Sequence, residues 1–109
     1  MFQINITKPA ERDMLDCVKY IAMELRNRTA AQRLLDDAED AIYSLEDMPF
    51  RHPLAKDDVL AQQGFRYLSV HNYLLFYIVR EETKTVVIER FLYGRRDWIN
   101  LLKCENNPD

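Results

Sequence analysis

From Tyr73 to Val79 the chain reads Tyr-Leu-Leu-Phe-Tyr-Ile-Val, a run without a single charge. Drawn as a strand, this run is apolar on both pleat faces, because successive side chains point to opposite sides. Leu74, Phe76 and Ile78 share one face, and Tyr73, Leu75, Tyr77 and Val79 share the other. A strand with no wet face belongs inside a sheet that is covered on both sides. A layer of helices covers one side. The other falls to the flank of the first strand, to the C-terminal segment, or to a bound partner.

The surrounding sequence supplies the rest of that sheet. Phe65–Val70 reads as a strand, His71-Asn72 as a turn, Glu81–Lys84 as a second turn, and Thr85–Tyr93 as a third strand after Tyr73–Arg80. Connections this short make antiparallel neighbours, a three-stranded meander. Near the N-terminus Phe2, Ile4 and Ile6 alternate with polar residues, the pattern of a half-buried strand. Thr7 and Pro9 then open a helix, a hydroxyl as cap and a proline in the first turn. The helix is predicted over Pro9 to about Asn27, with Leu15, Val18, Ile21, Ala22 and Leu25 as its apolar stripe. Thr29 is read as the cap of a second helix to about Asp47, with Leu34, Leu35, Ala38, Ala41, Ile42 and Leu45 on one side. So short a link predicts an antiparallel helical hairpin. Pro49 and Pro53 hold the next segment extended or turned, and Ala55–Gln63 reads equally as a loop or one helical turn. Gly94 ends the last strand, and a short helix follows through about Leu102 with Asp97 as its candidate cap. The tail Glu105–Asp109 is expected to fray. The fold class is α+β: an N-terminal strand, a helical hairpin, the meander and a short C-terminal helix, in a single domain over residues 1–109.

Composition removes several classes of function. With only 2 glycines the chain has no Gly-rich phosphate loop. No segment approaches the roughly 20 apolar residues of a membrane helix, and the N-terminus lacks the basic start of a signal peptide. Two distant cysteines, Cys17 and Cys104, fit a reduced, cytoplasmic setting, with a disulfide between them left open. His52 and His71 share no ligand spacing with those cysteines, so neither a metal nor another cofactor is expected. Charge is divided unevenly. Residues 11–63 hold 7 Lys/Arg against 12 Asp/Glu, whereas residues 64–103 hold 7 against 4. The basic C-terminal part either meets an anionic target or is simply solvated surface.

The segment Gly64-Phe65-Arg66-Tyr67-Leu68-Ser69-Val70-His71-Asn72-Tyr73-Leu74-Leu75-Phe76-Tyr77-Ile78-Val79 resembles the RelE/ParE toxin family, the plasmid stabilization type. So does Val86-Val87-Ile88-Glu89-Arg90-Phe91-Leu92-Tyr93-Gly94-Arg95-Arg96-Asp97. The shared pattern is an arginine opening one strand, an aromatic-rich hairpin partner, and a strand that ends in a glycine and a basic pair. The helical hairpin upstream and the proline-bracketed break after it fit as well. The resemblance runs from Phe2 to about Leu102. It implies a toxin of a type II toxin–antitoxin system, neutralised by a cognate antitoxin whose disordered segment folds onto it, as a hetero-oligomer. It also implies one of two activities, because RelE-like members cut messenger RNA in the ribosome and ParE-like members block DNA gyrase. A shared fold does not choose between them.

Metal-free RNA cleavage needs a base, an acid and cations for the charged phosphorane. Arg66, Arg90, Arg95 and Arg96 are the candidate cations, at strand positions or ends that a twisted sheet could bring together, and Trp98 is a candidate base-stacking side chain. Acids and bases are scarcer. His71 is the candidate proton carrier beside Arg66, Arg95 and Arg96, although a turn histidine is more often plain surface. Tyr73, Tyr77 and Tyr93 read as core or as an antitoxin-binding surface. The resemblance implies that RNA-cleaving members carry a tyrosine or a His-Tyr pair in the last segment, where this chain reads Trp98-Ile99-Asn100-Leu101-Leu102-Lys103-Cys104. It also implies a basic residue late in the first meander strand, where this chain has Ser69. The expected activity is therefore ParE-like inhibition of gyrase. A RelE-like, ribosome-dependent mRNA endoribonuclease is the alternative, and a non-toxic homologue that still binds an antitoxin is the second.

Overall fold

The computed structural model describes the backbone of residues 1–106 and the side chains through Lys103. The elements, in chain order, are β1 (Gln3–Ile6), α1 (Lys8–Lys19) continued by a π-helical turn (Tyr20–Glu24), α2 (Arg28–Ser44), α3 (Asp58–Gln62), β2 (Arg66–Val70), β3 (Tyr73–Arg80), β4 (Thr85–Tyr93) and α4 (Trp98–Asn106). No described helix is long and apolar enough to cross a membrane. Glu105 and Asn106 belong to α4 and so do not fray as expected; the rest of that tail, residues 107–109, and the state of the Cys104 thiol lie outside the described residues.

The four strands lie in the order β1-β4-β3-β2. β3 pairs antiparallel with β2 on one side and β4 on the other, the interior position its two apolar faces demand. β1 runs parallel to β4, with Ile4 opposite Val86 and Ile6 opposite Ile88. A parallel neighbour needs a long crossover, and the helical hairpin and meander together provide it.

Two apolar clusters sandwich the sheet. On one face Leu34, Ala38, Ile42 and Leu45 of the hairpin region pack against Leu68, Leu75, Tyr77, Ile88 and Phe91. On the other, Leu60 from α3 and Leu102 from α4 close over Phe65, Phe76 and Leu92, with Trp98 at the margin. Of the three candidates for covering the second face, the C-terminal segment is therefore the one found, joined by α3. The ambiguous stretch before β2 is helical over Asp58–Gln62, because Asp57 caps it by accepting the Leu60 N–H at 3.1 Å.

Helix starts are where side-chain oxygens can take free N–H groups. The Thr7 Oγ1 accepts from Ala10 N at 3.2 Å and donates to the Glu89 carbonyl at 3.1 Å, tying α1 to β4 as it caps. The cap of α2 is Asn27, not Thr29: its Oδ1 accepts from Ala30 N at 3.0 Å, and the helix has already begun at Arg28. Asp97 precedes the first residue of α4, where its carbonyl accepts the Leu101 N–H at 3.2 Å and its carboxylate takes the Asn100 side-chain amide at 2.7 Å. The stripe expected on α1 is also rotated. Ala10 is buried and Met14, Cys17 and Ile21 pack on the core, whereas Leu15 and Leu25 are 51% and 57% exposed. Two causes act together. Asp13 must face β4 to meet Arg90, which turns Met14 and Cys17 inward. The π-helical turn then inserts an extra residue after Lys19 and swings Leu25 outward.

Candidate functional site

A groove of about 890 Å³ opens between the helical hairpin and one end of the sheet. Its floor is Tyr73 and Phe91, its helical wall Cys17, Tyr20 and Ile21, and its far rim His71, Tyr93 and Arg96. The position of the groove follows from the register. Val70 pairs with Tyr73 and Tyr73 with Tyr93, so the β2–β3 turn and the end of β4 meet at one end of the sheet.

The aromatic floor is built from rings in contact. Tyr73 stacks on Phe91 with centroids 5.1 Å apart and meets Tyr93 edge-on at 5.6 Å. Burial, and then its neighbour Cys17, push the Tyr73 phenol up to about 12. Burial also raises the Cys17 thiol, against the opposing effect of its hydrogen bond to Tyr73. His71 adopts a left-handed backbone at φ 56° in the turn, and its Nε2 lies 2.6 Å from the Asp37 carboxylate on α2.

The four arginines do not converge. Arg96 lines the groove, and Arg95 beside it is exposed. Arg66 pairs with Tyr77, four residues along β2 from the turn, or roughly 13 Å at the rise of a strand. There its guanidinium donates to the His52 carbonyl at 2.7 Å and lies over the Phe50 ring. Arg90 is only 8% exposed, and its side chain faces inward to Asp13, donating from Nε at 2.5 Å and from Nη2 at 2.9 Å. It is a structural cation and not a rim contact. A β-bulge explains this. The register slips between Phe76 and Tyr77, so that Phe76 faces Arg90 while Tyr77 faces Ile88, and Glu89 is the extra residue.

The aromatic candidates divide in the same way. Tyr77 is fully buried and its hydroxyl donates to the Pro49 carbonyl at 2.7 Å, so it presents nothing to a partner. Tyr73 is half-buried at the groove floor and Tyr93 is exposed at its rim. Trp98 packs 5.2 Å from Phe76 as a cover of the second core. His52 is half-buried edge-on to Tyr77, and burial, then Arg51, lower its pKa.

Sequence reasoning missed Asp13, Asp37, Cys17 and Tyr20. Asp13 and Asp37 lie on helices with other acidic residues close by in sequence. Nothing local marks partners 77 and 34 residues away.

The sequence matches a family model described as the ParE toxin of type II toxin–antitoxin system, parDE, over residues 4–98. Comparison with curated protein sequences gave no match. Among solved structures the fold is similar to a chain of the chromosomal ParDE toxin–antitoxin system from P. aeruginosa. The TM-score is 0.69 at 17% identity, over 85% of this chain and 96% of that one. It is also similar to a chain of the RelBE2 toxin–antitoxin complex from Mycobacterium tuberculosis, with a TM-score of 0.63 at 20% identity over 84% and 96%. Those likenesses establish a common architecture, and the match of most of the chain to one family model establishes membership. This chain belongs to the ParE toxin family of type II toxin–antitoxin systems.

Proposed function

We propose that the chain is the toxin of a type II pair, silenced in the cytoplasm by a cognate antitoxin, and that it acts by binding and inhibiting DNA gyrase. The observation that carries this reading is the make-up of the groove. It holds an arginine, Arg96, suited to an anionic or polar target, but the two proton-bearing groups that meet on its floor and wall, Tyr73 and Cys17, are not a matched acid–base pair. Its phenol Tyr73 is held at about 12, far from the range in which a side chain exchanges protons at neutral pH. Cys17 is likewise raised. The last segment, Trp98–Lys103, contributes neither tyrosine nor histidine. Inhibition by binding needs no such pair.

Exposed apolar side chains support an antitoxin partner. Tyr20 and Leu25 line the groove at 55% and 57% exposure, and Met23 between them is 72% exposed. Side chains of this kind gathered on one helical arm favour burial against another polypeptide.

One observation favours the RelE-like reading instead. His71 is held by a carboxylate and shares a groove with Arg96, an arrangement able to serve as an oriented base beside a phosphate-binding cation. Two assays run side by side separate the readings. The purified chain is assayed for inhibition of gyrase supercoiling, and messenger RNA from induced cells is mapped by primer extension. Supercoiling inhibition with intact transcripts supports the proposal, and ribosome-dependent cleavage with normal supercoiling replaces it by the second reading. Harmless induction with a stable antitoxin complex identifies a partner-binding homologue without toxicity.

A further inference from the structure

The β2–β3 turn is held at both of its residues. The His71 ring bonds to Asp37 on α2 at 2.6 Å. The next residue, Asn72, accepts the Gly94 N–H on its backbone carbonyl at 2.9 Å. Gly94 begins the turn after β4, in which the Arg96 N–H bonds to the Tyr93 carbonyl at 3.0 Å and the Arg96 carbonyl takes the Trp98 N–H at 2.8 Å. The two turns touch closely: a Cβ on Gly94 would stand 3.2 Å from the Asn72 carbonyl oxygen. A continuous path of covalent and hydrogen bonds therefore links α2 to the segment that carries Arg96.

We propose that the His71–Asp37 pair is a latch that holds the β2–β3 turn against α2 and thereby places Arg96 at the groove. His71 and Asp37 are then positioning residues for the Arg96 guanidinium, and not members of a proton relay.

Three features support this assignment. His71 and Asn72 are both exposed, so packing does not hold the turn in place. The His71 and Asp37 side chains are 38% and 49% exposed, and a pair so wet adds little to global stability while still restricting a local segment. His71 also sits in the left-handed region that a two-residue hairpin turn favours, so the turn's shape is set locally and the bond to Asp37 acts on its position. For its consequence, control of partner binding through Arg96, the inference rests on the groove being the functional surface. The latch itself does not depend on that reading.

The test uses the full chain and three variants, Asp37→Ala, Asp37→Asn and His71→Asn, the last because asparagine tolerates a left-handed backbone. Amide hydrogen exchange is read at Gly94 and Arg96, together with thermal stability and gyrase inhibition. Asp37→Ala and His71→Asn are expected to speed exchange at Gly94 and Arg96 by about tenfold, as loss of a local restraint does. Exchange within β3 and the melting temperature should stay as in the parent chain. Asp37→Asn keeps an acceptor and is expected to restore most of the protection. Equal exchange at Gly94 in the parent and in Asp37→Ala overturns the latch. So does a uniform rise across the whole sheet with a fall in melting temperature, which marks a purely structural pair. If the parent chain leaves gyrase untouched, the functional reading fails and the exchange data still decide the latch. If His71→Asn abolishes messenger RNA cleavage without altering Gly94 exchange, His71 is a proton carrier and the positioning role is wrong.

Discussion

Arg90 on β4 and Asp13 on α1 form a forked ion pair in the interior, and the Asp13 carboxylate also accepts the Phe91 N–H at 3.1 Å. With the Thr7 hydroxyl bonded to the Glu89 carbonyl, this pair fastens the first helix to the bulge in β4. The two side chains are 10% and 13% exposed, so water screens their attraction only weakly. Removing one partner of such a pair costs about 3–5 kcal/mol, because the other charge is left buried. Asp13→Ala is therefore expected to lower unfolding free energy in urea by that order, and the Asp13→Ala/Arg90→Met double variant should recover part of the loss. An Asp13→Ala chain as stable as the parent would contradict the assignment.

Arg96 and Arg66 are expected to behave oppositely on truncation. Arg96 is exposed at the groove, so Arg96→Ala should shift stability by no more than about 0.5 kcal/mol. It should weaken target inhibition by about tenfold or more, as loss of a charge-assisted hydrogen bond does. Arg66 supports the His52 carbonyl and the Phe50 ring far from the groove, so Arg66→Ala should lose stability first. Parallel urea melts and supercoiling assays on the two variants check both statements.

Two phenols should titrate late. Burial raises Tyr77, and burial with Cys17 raises Tyr73 to about 12. A tyrosine whose folded pKa lies above its unfolded value near 10 stabilises the fold fully below pH 10. That contribution is lost as pH rises from about 10 towards 12, because the unfolded chain ionises first. Ultraviolet titration should show a late component near pH 12 that disappears in Tyr73→Phe, and stability should fall over the same range.

Tyr77→Phe tests the tether between the sheet and the proline-bracketed segment. The hydroxyl bonds to Pro49 in a fully buried position, so its removal leaves a buried carbonyl without that donor. The expected loss is about 1–3 kcal/mol in unfolding free energy, with binding at the groove unchanged. A supercoiling assay on the folded variant checks the second half.

Local patterning made much of this architecture readable. The apolar run of β3, the turns on either side of it and the Thr7-Lys8-Pro9 helix start each constrain one stretch of chain, and each was legible within a window of about ten residues. The α1 stripe held at Ile21 and missed at Leu15 and Leu25, for a non-local reason. The Asp13–Arg90 pair and the π-helical turn go with Met14 and Cys17 packing on the core beside Ile21, in place of Leu15 and Leu25. The candidate site was legible in part. Arg96, His71, Tyr73 and Tyr93 line one groove as chemistry-bearing residues near strand ends, but Arg90 and Tyr77 carry the same residue types inward.

The sequence by itself determined the elements, their order and a central strand needing cover on both faces, because hydrophobic periodicity and turn chemistry act over short distances. Only the tertiary structure decided which arginine faces the outside, which carboxylate meets which cation, and that the C-terminal helix lies across the second face. Those outcomes depend on strand register, on one bulge at Glu89, and on contacts between residues tens of positions apart. A one-residue slip turns a strand side chain from one face to the other, and no local pattern records where such a slip occurs.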